Sequence, residues 1–138
     1  MLGWLLTRSI TKPVGVAMQA AKSLAEGNLD VTIADAGKDE VGNLLRSMQE
    51  MIAVLKRFSV AQAEMSKQHE AGAIDHMIAH QEFAGAYGVM ALQMNELVAS
   101  HIAVKMRVVE VVKRYAMGDL SVDMDRLPGK KAQITAAI

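Results

Sequence analysis

The 138-residue sequence contains no cysteine, only two prolines and few aromatic residues. Without cysteine, neither a disulfide framework nor a thiolate metal site can form. Because aromatic residues are only 4% of the chain, the core has to be built from leucine, valine, alanine and the eleven methionines. Fifteen basic residues balance fifteen acidic residues, so no net positive field attracts nucleic acid. We therefore predict no nucleic-acid partner.

The sequence also lacks the motifs of common enzymes. Gly129-Lys130 has no upstream glycine at the phosphate-loop spacing, and no serine lies in a nucleophile elbow. His76 and His80 have the spacing of two metal ligands on one helix face, but no glutamate follows His76 as a zinc protease motif requires. We predict no enzymatic activity, no catalytic residues, no cofactor and no metal site. The alternative of a helical metal or cofactor binder remains open to a metal titration.

No apolar run is long enough to cross a bilayer, which takes roughly twenty residues. The apolar residues at 2–6 are followed by Arg8 and Lys12, and Trp4 is suited to a membrane interface. We therefore interpret residues 1–9 as the cytoplasmic end of a transmembrane helix. The alternative is that they extend the first helix or fray in solvent. Pro13 follows this segment and favours a kink or a fresh helix start.

Residues 10–58 read as a helix, an extended connector and a second helix. Apolar residues at alternating spacings of three and four predict both helices. The first seam is Ile10, Val14, Ala17, Ala21 and Leu24, and the second is Val41, Leu44, Met48, Met51, Leu55 and Phe58. Gly27 ends the first helix. In the connector, Leu29, Val31 and Ile33 recur at period two, so they can face one apolar surface.

The connector from Gly27 to Asp39 is far longer than the roughly two to five residues that close an antiparallel helical hairpin. When extended it covers about 40 Å, enough to run back along the first helix, so the two helices can lie parallel. Asp39 is the expected N-cap of the second helix, and Glu40 adds charge that suits a helix start. Each helix offers only a narrow seam, so we predict an all-α fold: a parallel four-helix coiled-coil bundle formed by a homodimer.

The pattern recurs along the chain. Gly27, Gly72 and Gly118 each stop a helical stretch and are each followed by three residues at period two. These residues are Leu29, Val31 and Ile33; Ile74, His76 and Ile78; and Leu120, Val122 and Met124. We predict continuous helices from about residue 40 to 70 and along the seam from Met90 to Tyr115, so that tandem units share helices. The predicted units are 10–58, 59–100 and 101–138, the last incomplete.

Three motifs carry a family resemblance. Ser-Ile-Thr-Lys-Pro at 9–13, Ala-Glu-Gly-Asn-Leu at 25–29 and Lys-Asp-Glu-Val-Gly at 38–42 resemble the HAMP domain of bacterial transmembrane receptors. The later segments Asn-Glu-Leu-Val at 95–98 and Leu-Pro-Gly-Lys-Lys at 127–131 resemble the region before the signalling tip of some methyl-accepting chemotaxis proteins. The middle unit departs from the pattern, because Phe-Ala-Gly-Ala-Tyr-Gly at 83–88 replaces the acidic motif.

The resemblance implies a signal-relay module at the cytoplasmic face of the inner membrane. In the parent chemoreceptor, displacement of a membrane helix would change the bundle packing and reach an output domain. The implied partners are a chemotaxis histidine kinase and a coupling protein. The expected relay residues are Pro13, Gly27, Leu29, Ile33, Glu40, Val41 and Gly42. The alternatives are the HAMP region of a sensor histidine kinase or other membrane sensor, and a structural coiled-coil spacer that does not switch.

Overall fold

The computed structural model describes residues 2–34 and 37–138, with side chains described from residue 10 onward. Within these residues the chain is helical and contains no strand. The helices are α1 (Leu2–Ala25), α2 (Glu40–Glu70), α3 (Gly85–Ala116) and the short α4 (Ala132–Ala136). Single 3₁₀ turns lie at His80–Glu82 and Gly129–Lys131. The predicted all-α class is confirmed, whereas the homodimeric four-helix bundle stays a prediction.

Helix α1 passes through Pro13 without interruption. The expectation of a fresh helix start at this proline is therefore wrong. A proline removes a single backbone donor, and the backbone stays helical on both sides of it. The backbone of residues 2–9, predicted as a membrane-helix remnant, belongs to α1, while Met1 and the Trp4 side chain lie outside the described residues. None of the described helices combines the length and the hydropathy that a bilayer crossing needs.

Helix α2 has the predicted extent, and α3 is continuous as predicted but begins at Gly85, before the predicted seam. Helix α2 covers Glu40–Glu70, and α3 covers Gly85–Ala116 as one continuous helix. The predicted N-cap of α2 is confirmed, because the backbone N–H of Gly42 donates to Asp39 Oδ1 at 2.8 Å. This bond satisfies one of the backbone donors that the first turn of a helix leaves unpaired.

Helix α1 ends at Gly27 in a Schellman motif. Gly27 has a φ of +80°, a conformation that costs glycine little because it has no Cβ. The N–H of Gly27 donates to the oxygen of Leu24, and the N–H of Asn28 donates to the oxygen of Ser23, both at 2.9 Å. These two bonds satisfy the last carbonyls of the helix and turn the chain into the connector.

The same termination occurs at Gly72 and Gly118, whose φ angles are +96° and +86°. In each case the N–H of the glycine and the N–H of the next residue donate to carbonyl oxygens near the end of the helix, at N···O distances of 2.9 to 3.0 Å. Asn28 and Asp119 occupy matching positions after their glycines, and each side chain accepts the N–H of the second residue on. The sequence repeat is therefore also a repeat of backbone structure.

The first connector runs along α2 in the opposite direction to that helix. Three polar contacts join them: Asp30 Oδ1 with Lys56 Nζ at 3.1 Å, the Ile33 oxygen with Gln49 Nε2 at 2.6 Å, and the Gly37 oxygen with Arg46 Nη1 at 3.1 Å. Connector residues with higher numbers contact α2 residues with lower numbers. The connector starts at the C-terminal end of α1, which therefore lies beside the C-terminal half of α2. The two helices are parallel, as the connector length predicted.

The chain divides into two compact units, Met1–Lys67 and Gln68–Ile138. The core of the first unit joins both helices and the connector. Its buried residues are Ala17, Ala20, Ile33, Leu45, Met48 and Ile52, with Leu24 and Val31 packed against them. Of these, Ala20, Leu45 and Ile52 lie beside the predicted seams rather than on them. In the second unit, buried residues include Ile78, Phe83, Ala91, Asn95, Val111 and Met124.

The third period-two residue of each connector is the most buried one. Ile33, Ile78 and Met124 are 5%, 3% and 4% exposed. The first residue of each triplet is less buried than predicted: Leu29 is half-buried, while Ile74 and Leu120 are exposed. Ile74 lies in a turn in which the N–H of His76 donates to the oxygen of Ala73. The extended part of this connector therefore starts later than the sequence pattern indicated.

Several predicted seam residues remain exposed in the single chain. Their exposed fractions are 51% for Ile10, 38% for Val14, 50% for Leu44 and 42% for Met51. Packing within the first unit thus uses one flank of each predicted seam, and apolar side chains on the other flank stay in solvent.

Candidate functional site

The predicted relay residues fall at three places in the first unit. Pro13 is half-buried inside α1, and Ile33 is buried in the core. Gly27 and Leu29 begin the connector, and Glu40, Val41 and Gly42 form the first turn of α2. The structure brings Ile33 against residues of both helices. The family resemblance also implies a link from Glu40 to the Pro13 segment, and this link stays a prediction.

Ile33 is fixed by both its side chain and its backbone. The side chain shares the buried cluster with Ala17 and Ala20 of α1 and with Ile52 of α2. The backbone oxygen accepts a hydrogen bond from Gln49 Nε2 at 2.6 Å. Ile33 thus joins the connector to a core that both helices share. The short alanines on the α1 side allow the backbones to approach closely.

The first turn of α2 is ordered by Asp39, whose side chain caps the helix through Gly42. Gly42 is buried, Val41 is half-buried and Glu40 is exposed. The carboxylate of Glu40 lies in the first helical turn, where the helix dipole favours negative charge. This turn carries charge at its surface and packs closely at Gly42.

A groove of about 270 Å³ lies between the first connector and α2. Its lining is largely apolar and includes Val31, Ile33, Ile52 and Ala53. The polar groups in the lining include Gln49 and Lys56, which already contact the connector. The groove presents no nucleophile beside a base and no paired carboxylates, which are the arrangements that acid–base or covalent catalysis needs.

Two side chains that were not predicted as functional from the sequence form hydrogen bonds with the middle connector. Asn95 of α3 is 8% exposed, and its amide pairs with both backbone groups of Ile78. The N–H of Ile78 donates to Asn95 Oδ1, and Asn95 Nδ2 donates to the Ile78 oxygen, each at 2.9 Å. The His69 ring lies 2.7 Å from the oxygen of His76. The residues three and four positions from Asn95 on its helix are apolar, namely Ala91, Leu92, Val98 and Ala99, and an amide on that face was the available signal.

The third connector is bonded to α3 by arginines. Arg107 donates to the backbone oxygen of Asp123 at 2.9 Å and pairs with the Asp125 carboxylate at 3.5 Å. Arg114 pairs with Asp119 at 2.6 Å. The pKa of Asp119 is lowered, first by hydrogen bonds from the Ser121 hydroxyl and N–H and then by the Arg114 charge.

These side chains hold backbone segments in place. In the part of the chain that the structure describes, no group of three or more histidines and carboxylates is close enough to bind a metal ion. The polar side chains described above bond to connector backbone or pair with neighbouring charges. What they can do chemically is fix the position of a connector relative to a helix.

Family comparisons match nearly the whole chain. Residues 5–57 match the HAMP domain family. Residues 55–100 match the second HAMP domain of the methyl-accepting chemotaxis protein McpB, and residues 104–138 match the family described as HAMP N-terminal domain 3.

The chain is also similar in sequence to curated proteins. The chain is 45% identical over 127 residues to methyl-accepting chemotaxis protein McpB of Pseudomonas aeruginosa strain PAO1, a match that covers 85% of this chain and 19% of McpB. It is 39% identical over 51 residues to a putative sensory transducer protein of Acetivibrio thermocellus, covering 37% of this chain and 9% of that protein. The chain thus spans less than a fifth of either relative.

Proposed function

The chain belongs to the HAMP family as found in methyl-accepting chemotaxis proteins, and we propose that it is the signal-relay module of a transmembrane chemoreceptor. It receives a displacement of a membrane helix at the N-terminal end of α1. It passes that displacement on as a change of helix packing. The observation that carries this proposal is the parallel pair α1 and α2, joined in one core by Ile33, with apolar seam residues left exposed.

The exposed flank of the seam supports a parallel homodimer. Val14 and Met51 are large apolar residues on helices that the connector already holds parallel. A second copy related by a two-fold axis would cover them and complete a four-helix core. Lone helix pairs with one narrow core are marginal, so association supplies stability that the single chain lacks.

The relay requires two packings of nearly equal free energy, differing by roughly a few kcal/mol. Ala17 and Ala20 support this requirement, because small side chains at the helix contact leave α1 room to shift. Ile33 then transmits the shift, since it contacts α1 through the core and α2 through the Gln49 bond. Pro13 marks the input end of α1. Glu40, Val41 and Gly42 form the start of the responding helix.

Three units in tandem extend the relay: residues 10–58, 59–100 and 101–138. The three family matches and the three identical helix terminations at Gly27, Gly72 and Gly118 support this division. Helices α2 and α3 are each continuous, so the second helix of one unit serves as the first helix of the next. A change of packing in one unit thereby becomes the input to its neighbour.

In the parent receptor the module lies at the cytoplasmic face of the bacterial inner membrane. The receptor signals to a chemotaxis histidine kinase with a coupling protein through a domain beyond Ile138. The similarity to a methyl-accepting chemotaxis protein supports these assignments. The module itself acts without catalysis or a cofactor, since its role is mechanical.

Cysteine crosslinking tests the homodimer in this naturally cysteine-free chain. Under mild oxidation, Val14→Cys and Met51→Cys should each give disulfide-linked dimers, because both sites lie on the exposed seam. Glu50→Cys, one residue away and also exposed, is the matched control and should stay largely monomeric on a denaturing gel. Equal crosslinking at Glu50 and Met51, or a folded monomer in sedimentation, would contradict the proposal.

A further inference from the structure

The buried amide of Asn95 is the most tightly specified polar group among the described residues. A buried carboxamide is costly unless its donor and its acceptor both find partners. Asn95 meets this requirement through one residue, Ile78, whose N–H and oxygen both lie 2.9 Å from the amide. The amide thus pairs with Ile78 as a neighbouring strand would, although it belongs to a helix.

The middle connector is also bonded to α2, through His76. The ring Nε2 of His69 lies 2.7 Å from the oxygen of His76. Because a carbonyl oxygen only accepts, the ring must donate, which places a proton on Nε2. His76 and Ile78 are two residues apart in the connector. Their carbonyls are therefore bonded by side chains from two different helices.

The first connector is attached more loosely. Gln49 makes one hydrogen bond to Ile33, through the oxygen alone, where Asn95 makes two to Ile78. The other two described polar contacts of this connector with α2 are exposed: an ion pair between Asp30 and Lys56 and a hydrogen bond from Arg46 to the Gly37 oxygen. An exposed ion pair contributes little to stability. The two connectors therefore differ in how firmly their buried isoleucine is tied to the following helix.

We propose that Asn95 is a positioning residue that clamps the middle connector to α3, so that connector and helix move as one body. The first unit, in which Gln49 makes one described hydrogen bond to the buried Ile33, keeps the freedom to change its packing. The clamp itself does not depend on the proposed relay. Its consequence for signalling does: in a relay, a clamped middle unit transmits a displacement rigidly instead of absorbing it. Polar groups buried at one position are known to fix register in helical assemblies.

Amide hydrogen exchange on the 138-residue chain tests the clamp without any signalling assay. In the unaltered protein, the Ile78 N–H should exchange as slowly as the α3 amides around Asn95, because they open together. One proton of the Asn95 side-chain amide should exchange at least about fivefold more slowly than those of exposed Gln93, as expected for one hydrogen bond. Similar rates for the two side chains would overturn the proposal.

The variant Asn95→Ala removes both bonds, and Gln93→Ala on the same helix is the control. We expect Asn95→Ala to speed exchange at Ile78 on the order of tenfold while the α3 amides stay near their original rates. Gln93→Ala should change neither. An unchanged rate at Ile78, or an equal acceleration of connector and helix, would overturn the clamp and leave Asn95 as a general stabiliser.

If Asn95→Ala fails to fold, the side-chain exchange of Asn95 in the unaltered chain still decides the question. The consequence for the relay is measured separately, as the response of a receptor carrying Asn95→Ala. A loosened Ile78 with an unaltered response would overturn the rigid-transmission role, while the clamp itself and the proposed relay of the first unit would stand.

Discussion

The side-chain amide of Gln49 donates to the backbone oxygen of Ile33 at 2.6 Å, across sixteen residues of sequence. With the Ile33 side chain in the core of both helices, this bond makes one connector residue a contact point for α1 and α2. The stability of the first unit and its capacity to relay a displacement should therefore depend on the same residue.

Replacing Ile33 by aspartate should melt the first unit. The side chain is 5% exposed, and a charge buried there without a partner costs several kcal/mol. Thermal unfolding monitored by circular dichroism measures the change. Thr32→Asp is the control, because Thr32 is exposed and adjacent; it should shift the free energy of unfolding by less than about 0.5 kcal/mol. A stable Ile33→Asp variant would favour a simple coiled-coil spacer.

Alanine substitutions at Gly15, inside α1, and at Gly27, at the end of α1, should change the free energy of unfolding in opposite directions. Gly27 has a φ of +80°, so Gly27→Ala should destabilise by about 1 kcal/mol. Gly15 lies inside α1 and a Cβ there would meet nothing within 4 Å. Gly15→Ala should therefore stabilise by up to about 1 kcal/mol through helix propensity. Chemical denaturation of both variants checks this, and equal effects would contradict the assigned helix end.

The carboxylate of Asp119 should titrate below its ordinary pKa of 3.8. Its pKa is lowered in the folded chain, so the stabilisation is present above the unfolded pKa and is lost as the pH falls through the folded one. Ser121→Ala removes the largest cause and should raise the Asp119 pKa towards its ordinary value. Arg114→Gln should raise it less, because the charge of Arg114 contributes after the Ser121 bonds. Carbon-detected NMR titration measures each pKa, and the reverse order would contradict the assignment.

Much of the fold follows from periodic and local signals in the sequence. The spacing of apolar residues predicted α2 and α3, and the glycines at 27, 72 and 118 predicted where helices end, because both depend on short-range backbone geometry. The length of the first connector predicted parallel helices. The acidic N-cap was predictable for the same local reason.

The contacts between elements were less predictable. Ala20, Leu45 and Ile52 lie one position away from the predicted seams, because each helix packs against both the other helix and the connector, and the helical period alone does not predict which side chains face which neighbour. The exposure of Ile74 depends on a turn at Ala73 that alternation does not reveal. The pairing of Asn95 with Ile78 joins residues seventeen apart through a side chain, which no local pattern encodes.

We propose that the first unit relays a displacement from the Pro13 end of α1 to the start of α2. The direct test uses a full-length receptor that contains this chain and measures kinase output with and without stimulus for Pro13→Ala and Glu40→Ala. Lys38→Ala, an exposed change near the same helix start, is the control. The dipole interaction of Glu40 contributes at most about 1 kcal/mol, enough to shift a balance of two packings about fivefold without unfolding the protein. Pro13 lies inside α1, so Pro13→Ala restores a backbone donor and should stabilise that helix. We predict a locked or inverted output for both variants, a normal output for the control and no melting temperature clearly below that of the unaltered receptor. An unchanged response in both variants, or a change of output that accompanies loss of folding, would contradict the relay.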